Sequence, residues 1–266
     1  MPITKKSYLV GLCVVFASVY SQYFIESLHP ILGIIIVYGV PLLATSLLWG
    51  SEIIRKAFSR TFTALKFGLG FFGAFTVLGM LVSIVILLIM AAVDPTALSL
   101  LDQPNPALDV ERELAWLMAW FSLLLVGPVE EYIFTGFVYG GLLSLFKDRH
   151  WLSLAFISST LFAAIHLYYA VVYEIASIVL FTNLTTFGMA MAATYYLSGG
   201  NLLVPAIIHG AYDALGFIGV ATSLDLAILL RGSMILMSII VAIVLFFQKI
   251  LKRKTARALD WSYLQN

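Results

Sequence analysis

Charge is scarce in this chain. Of its 266 residues only 11% are Asp, Glu, Lys or Arg, whereas a soluble domain carries about a quarter. The deficit excludes a water-soluble globule, because most of the surface must face something other than water. With 62% hydrophobic residues and a mean hydropathy of +1.02, that other solvent is lipid. A net charge of +1, with no extended basic face outside the segment ends, argues against a nucleic-acid partner. Cysteine is almost absent. Cys13, the single one, cannot form an intramolecular disulfide, and inside an apolar run it reads as a small membrane-facing residue. Strand alternation is missing too: the apolar stretches run far past the ~10 residues a barrel strand needs and show no period of two. What remains is an all-α, polytopic membrane protein, and its abundant Phe, Tyr and Trp fit helix faces and interfacial belts.

Windows of about 20 residues, the length that crosses a bilayer, mark eight apolar segments. They lie at about 8–26, 30–49, 67–93, 114–146, 151–172, 175–197, 202–220 and 226–248. As a helix the fourth would be ~50 Å long against a ~30 Å hydrocarbon core. It must tilt, bend at Gly127-Pro128, or begin with an interfacial piece. The first segment follows Lys5 and Lys6 as a signal peptide would. It is longer than a typical h-region and lacks a small-x-small site, so a retained span is expected. Eight spans put both termini on one side, and the basic residues sort accordingly. Of the fifteen Lys and Arg, only Arg112 and Arg231 fall on the opposite face, with the acidic 94–113 loop. Cytoplasmic termini are therefore expected. No second domain, linker or internal repeat is visible, so 1–266 reads as one integral-membrane domain.

An ionisable group at bilayer depth is costly unless paired or hydrated, so each one is a candidate functional residue. Setting the loop charges aside leaves Glu130 and Glu131 in segment four, His166 in segment five, and His209 with Asp213 in segment seven. Asn183 in segment six is the main neutral addition. His209 and Asp213 are four apart and share one helix face. The adjacent glutamates point about 100° apart, so one is expected to act or ligate and the other to support. Taken singly, each has a plainer explanation: a transmembrane His often bonds one helix to another, and paired glutamates can serve a proton path. Acid and imidazole groups on three separate segments are harder to explain by packing.

These residues also carry a resemblance. The stretch P-V-E-E-Y-I-F-T-G at 128–136 resembles the E-E-x-x-x-R motif of the CPBP family of intramembrane proteins, which contains the CAAX prenyl endopeptidases and the bacterial Abi proteins. F-A-A-I-H at 162–166 is similar to its F-x-x-x-H, in which Phe162 is the first residue, and H-G-A-Y-D at 209–213 is similar to its H-x-x-x-N/D. The likeness covers roughly 114–220. One position departs: the family's Arg is Thr135 here. An Arg at i+4 could neutralise Glu131, whereas Thr offers only a hydroxyl. Glu131 is then either carried protonated or compensated by another cation, for which Arg231 is a candidate. The departure also implies that Glu131→Gln is tolerated and that Thr135→Arg raises activity by restoring the pair.

The resemblance implies a glutamate-dependent intramembrane endopeptidase acting on a membrane-associated peptide or protein, such as a prenylated CAAX-type substrate. By the family pattern Glu130 is the general base, His166 helps hold the water, and His209 with Asp213 lines the oxyanion side. An ionised Asp only accepts hydrogen bonds, so Asp213 is expected to orient His209 rather than donate. No cofactor is required. A zinc reading uses the same residues, two imidazoles and a carboxylate, although the chain has no H-E-x-x-H. A cysteine nucleophile is disfavoured because Cys13 is remote from the cluster. The rivals from other classes are a contact-only binding or immunity protein, for which Thr135 is the best evidence, and a transporter, which the lack of repeat symmetry opposes. Oligomeric state and substrate identity stay open.

Overall fold

The computed structural model describes residues 4–25, 30–49, 64–94, 110–167 and 176–252. Among these the regular structure is entirely helical. We number the helical segments α1 (Lys5–Ile25), α2 (30–49), α3 (Leu65–Val93), α4 (Arg112–Leu145), α5 (Trp151–Ile165), α6 (Ala176–Leu197), α7 (Leu203–Ala221) and α8 (Leu224–Lys252). Each falls on one of the eight apolar segments, but the count of spans is approximate. Among the described residues α2, α3, α4, α6, α7 and α8 each hold a helix long and apolar enough to cross a membrane, and α5 is a shorter apolar helix of 15 residues. Large apolar side chains such as Leu81 and Leu88 on α3 and Ile243 and Phe246 on α8 are exposed, as an integral membrane protein requires. Cys13 is exposed on α1. The acidic loop and most of the basic loop and tail residues lie outside the described residues.

Helix α4 is the axis of the bundle, packed by α1, α2, α5, α6 and α7, while α3 and α8 pair on the far side and reach it through α6 and α7. It does not break at Gly127-Pro128. A π-helical stretch, Ser122–Val126, runs directly into the short α-helical turn Gly127–Glu130. Proline has no N–H to give and its ring crowds the carbonyl four residues back. Widening the preceding turn relieves both, so the chain stays helical through the proline.

A second π stretch, Glu131–Tyr139, follows at once, and all nine of its residues are buried. In a medium without water, any further donors to its backbone carbonyls must come from the protein itself. Neighbouring helices supply them: Ser158 on α5 donates to the Phe134 carbonyl at 3.2 Å, and Tyr8 on α1 donates to that of Val138 at 2.8 Å. The stretch is thus held in place from two sides.

Two features set α7 against α4. At the end of α6, Gly199 and Gly200 adopt φ of 70° and 82°, the left-handed conformation that Gly takes without a Cβ penalty. Asn201 then accepts from the Leu203 N–H at 3.0 Å and starts α7. Farther on, α4 and α7 touch backbone to backbone: a Cβ on Gly127 would lie 2.5 Å from the Gly210 nitrogen, and one on Gly210 would lie 2.8 Å from the Ser122 carbonyl oxygen. Lipid supplies no hydrophobic drive between helices, so such close small-residue contact is what fastens them.

Both arginines on the sparsely basic face are bound within the fold. Arg112 donates to the Ala221 and Thr222 carbonyls at 3.1 and 3.3 Å, satisfying the last turn of α7. Arg231 donates to the Tyr212 carbonyl at 3.1 Å and lies over the Tyr212 ring. It is therefore not the counter-charge of Glu131. Asn183 accepts from Ser83 at 3.3 Å, a bond between α6 and α3 of the packing kind.

Candidate active site

The glutamates sit where α4 changes register, Glu130 closing the α-helical turn and Glu131 opening the π stretch. The Gly127–Gly210 contact lies one turn before them and directly beside His209, so it sets the reach between α4 and α7. Across that reach, His209 Nδ1 lies 2.7 Å from Glu131 Oε1. The second oxygen, Oε2, accepts from the Thr135 hydroxyl at 2.5 Å. With 3% of its surface exposed, Glu131 is fully engaged inside the protein.

The departure at position 135 therefore has an answer that sequence reading did not reach. The group beside Glu131 is His209, from another helix, and Thr135 completes the carboxylate with its hydroxyl. Thr135 is itself buried, with 4% exposed, so no space exists there for an arginine. This bonding and burial argue against an indifferent Glu131 and against a beneficial Thr135→Arg.

Glu130 is bonded otherwise. Its Oε1 accepts from the Tyr38 hydroxyl at 3.2 Å, and its Oε2 is 3.7 Å from His209 Nε2, too far for a hydrogen bond. The same Nε2 lies 3.4 Å from Asp213 Oδ2, one turn along α7 as the spacing predicts. Both ring nitrogens of His209 thus face carboxylates. Donating to both at once requires two N–H groups, the imidazolium form. Edge-on rings of Phe187 and Phe162, with centroids 4.9 and 6.1 Å from that of His209, wall it in.

His166 ends α5, where its backbone has left the helix. Its Nδ1 is 2.9 Å from the Phe162 carbonyl oxygen. A carbonyl can only accept, so that partner assigns the proton to Nδ1 and makes Nε2 the acceptor of the neutral ring. The Phe162 ring also packs edge-on against His166, with centroids 4.8 Å apart. Glu130, His166 and Tyr38 line one small cavity of about 50 Å³ whose other walls are apolar, among them Val15 and Val19 of α1 and Val37 and Pro41 of α2. A cavity of this size, with a carboxylate, an imidazole and a phenol converging on it, has room for water beside those groups.

Glu130, Glu131, Thr135, His209 and Asp213 thus form one connected cluster, with Phe162 against both histidines and His166 on the cavity it shares with Glu130. Sequence reading missed Tyr38 and Phe187. A phenol in the middle of an apolar segment needs a partner just as an ionisable group does, and that signal would have found Tyr38. Among the described residues no group of three or more His, Cys, Asp and Glu is arranged to hold a metal ion. His209 could serve as a ligand only by giving up one of its carboxylates.

Residues 112–215 match the profile of one family, described as type II CAAX prenyl endopeptidase Rce1-like. The matched stretch holds every member of the cluster and leaves out Tyr38 with the rest of α1 and α2. No curated protein and no solved structure matches the chain.

Proposed function

We propose, from the premise that residues 112–215 form an Rce1-like domain of the CPBP family, that the chain is a glutamate-dependent endopeptidase. It cleaves a membrane-associated peptide within the bilayer, its substrate carrying a prenyl group of the CAAX kind. The observation that carries this reading is the unequal bonding of the two carboxylates. Glu131 has both oxygens engaged by His209 and Thr135, whereas Glu130 faces the cavity together with His166. Glu130 is then the base. It takes a proton from a water molecule as that water attacks the scissile carbonyl, and later returns it to the leaving amine. His166 accepts the water's second hydrogen at Nε2 and so aims its lone pair. His209, oriented by Glu131 and Asp213, keeps positive charge beside Glu130. No metal or cofactor enters this scheme.

The apolar side chains beside the cavity suit contact with aliphatic and isoprenoid groups, and the bilayer is the medium through which such a substrate arrives. Both termini are placed in the cytoplasm in this reading, on the distribution of basic residues. The contact-only alternative drew its support from Thr135, and the hydroxyl bond to Glu131 gives that residue a part in the endopeptidase reading as well.

The test is turnover of an internally quenched, farnesylated peptide by the purified chain in lipid nanodiscs. Glu130→Gln keeps shape and removes proton transfer, so kcat is expected to fall about a hundredfold or more. Full turnover by Glu130→Gln would end the glutamate-base reading.

A further inference from the structure

The mechanism above lacks a donor for the oxygen that becomes negative when water attacks. The last family motif would supply one through an Asn amide, but this chain has Asp213, whose carboxylate can only accept and lies 3.4 Å from His209 Nε2. The other nitrogen of His209 faces Glu131. His166 uses Nδ1–H on the Phe162 carbonyl and offers an acceptor at Nε2. Among the described side chains lining the cavity, the hydroxyl of Tyr38 is the O–H donor, and it already touches Glu130.

We propose that Tyr38, on α2 and outside the matched family stretch, is the oxyanion donor of this enzyme, a role that rests on the endopeptidase reading. Water held at about 2.6–3.2 Å from Glu130 places the attacked carbonyl beside the carboxylate. A phenol 3.2 Å from Glu130 Oε1 is then within reach of the about 2.7–3.1 Å that an oxyanion donor needs. The movement of charge directs the bond. In the resting enzyme the negative charge is on Glu130 and the phenol donates there. As the water oxygen bonds to carbon, its proton passes to Glu130 and the carbonyl π pair becomes a lone pair on oxygen. Glu130 becomes a poorer acceptor and the new oxyanion a better one, so the O–H turns from the first to the second. When the C–N bond breaks, the carbonyl reforms, the proton on Glu130 goes to the departing nitrogen, and Tyr38 returns. The phenol never loses its proton. Its ring stays against Phe121, edge to face at 6.2 Å.

The experiment compares wild type and Tyr38→Phe on the quenched farnesylated peptide, and measures binding of the same peptide with a tetrahedral phosphonamidate at the scissile bond. Tyr38→Phe is expected to lower kcat about a hundredfold, as loss of one oxyanion donor does, with KM changed less than about threefold. The Kd of the phosphonamidate should rise by a similar factor, while the Kd of the uncleaved peptide, compared in a Glu130→Gln background, should stay level. A 3-fluorotyrosine at position 38 keeps the shape and donates more strongly, so it should tighten the phosphonamidate even if Tyr38→Phe folds poorly. Tyr38→Phe turnover within threefold of wild type, a loss shared equally by the uncleaved peptide, or no tightening by fluorotyrosine overturns the assignment. If Glu130→Gln is dead while Tyr38→Phe is active, this assignment alone falls. If Glu130→Gln turns over fully, or the wild type neither cleaves the peptide nor binds its analogue, the endopeptidase reading falls with it.

Discussion

Replacing Gly127 by Ala sets two effects of opposite sign against each other. Helix propensity favours the change by about 1 kcal/mol, because Gly in a helix interior loses more backbone freedom than Ala. The α4–α7 contact opposes it. The new Cβ would sit 2.5 Å from the Gly210 nitrogen and 2.6 Å from the Ala206 carbonyl oxygen, and both are backbone atoms that cannot swing aside. Relief requires the helices to part by about 0.9 Å. If the whole shift falls on the nearest polar contact, His209 to Glu131 opens from 2.7 Å to about 3.6 Å, where it is no longer a hydrogen bond. Overpacking costs about 1–3 kcal/mol and the charge-assisted bond about 1.5–3 kcal/mol. Against the propensity gain, the net is a loss of about 1.5–5 kcal/mol. A misplacement near 1 Å also costs on the order of a hundredfold in rate. Thermal unfolding in detergent, read beside kcat on the farnesylated peptide, checks both numbers. A Gly127→Ala protein that melts higher than wild type and keeps its turnover would refute the claim that this crossing sets the site.

Thr135→Val leaves Glu131 Oε2 buried without its donor, so a loss of about 1–3 kcal/mol is expected, with Thr135→Ser close to wild type; denaturation of the three in one detergent decides it. Thr135→Arg is expected to yield little folded protein, read by size-exclusion chromatography. Glu131→Gln breaks a buried pair and should cost about 3–5 kcal/mol together with turnover, visible as a lower melting temperature than that of Glu130→Gln. Strong chelators should leave the rate unchanged, and loss of turnover restored by zinc would make the histidines metal ligands. A reporter fused after Asn266 should be accessible from the cytoplasm, and labelling only from outside would reverse the topology.

The helices were legible because lipid demands long apolar runs, and each of the eight runs is a helix. The grouping of Glu130, Glu131, His166, His209 and Asp213 was legible for the same reason, since charge within such runs is too costly to be incidental. What escaped was whatever depends on contact between helices. Pro128 reads locally as a break, yet the π turn before it absorbs the missing N–H. Thr135 reads locally as a lost cation, yet the imidazole beside Glu131 comes from α7, 78 residues away. Tyr38 looked like one more aromatic in an apolar segment, because its partner is 92 residues distant. Arg231 invited pairing with an acid, and instead a carbonyl and a ring of Tyr212 receive it.

The cavity draws its walls from two parts of the chain with different duties. The groups assigned to hydrolysis in the proposed function lie within the matched stretch 112–215, whereas Val15, Val19, Val37 and Pro41, which line the cavity, lie on α1 and α2. Substitutions there can reshape what is admitted without disturbing the carboxylates and imidazoles, so preference can drift among relatives while chemistry stays constant. Grafting α1 and α2 from one such protein onto another should then transplant taste more readily than talent. Tyr38 is the exception that ties the two parts together, and it is the residue such a graft must keep.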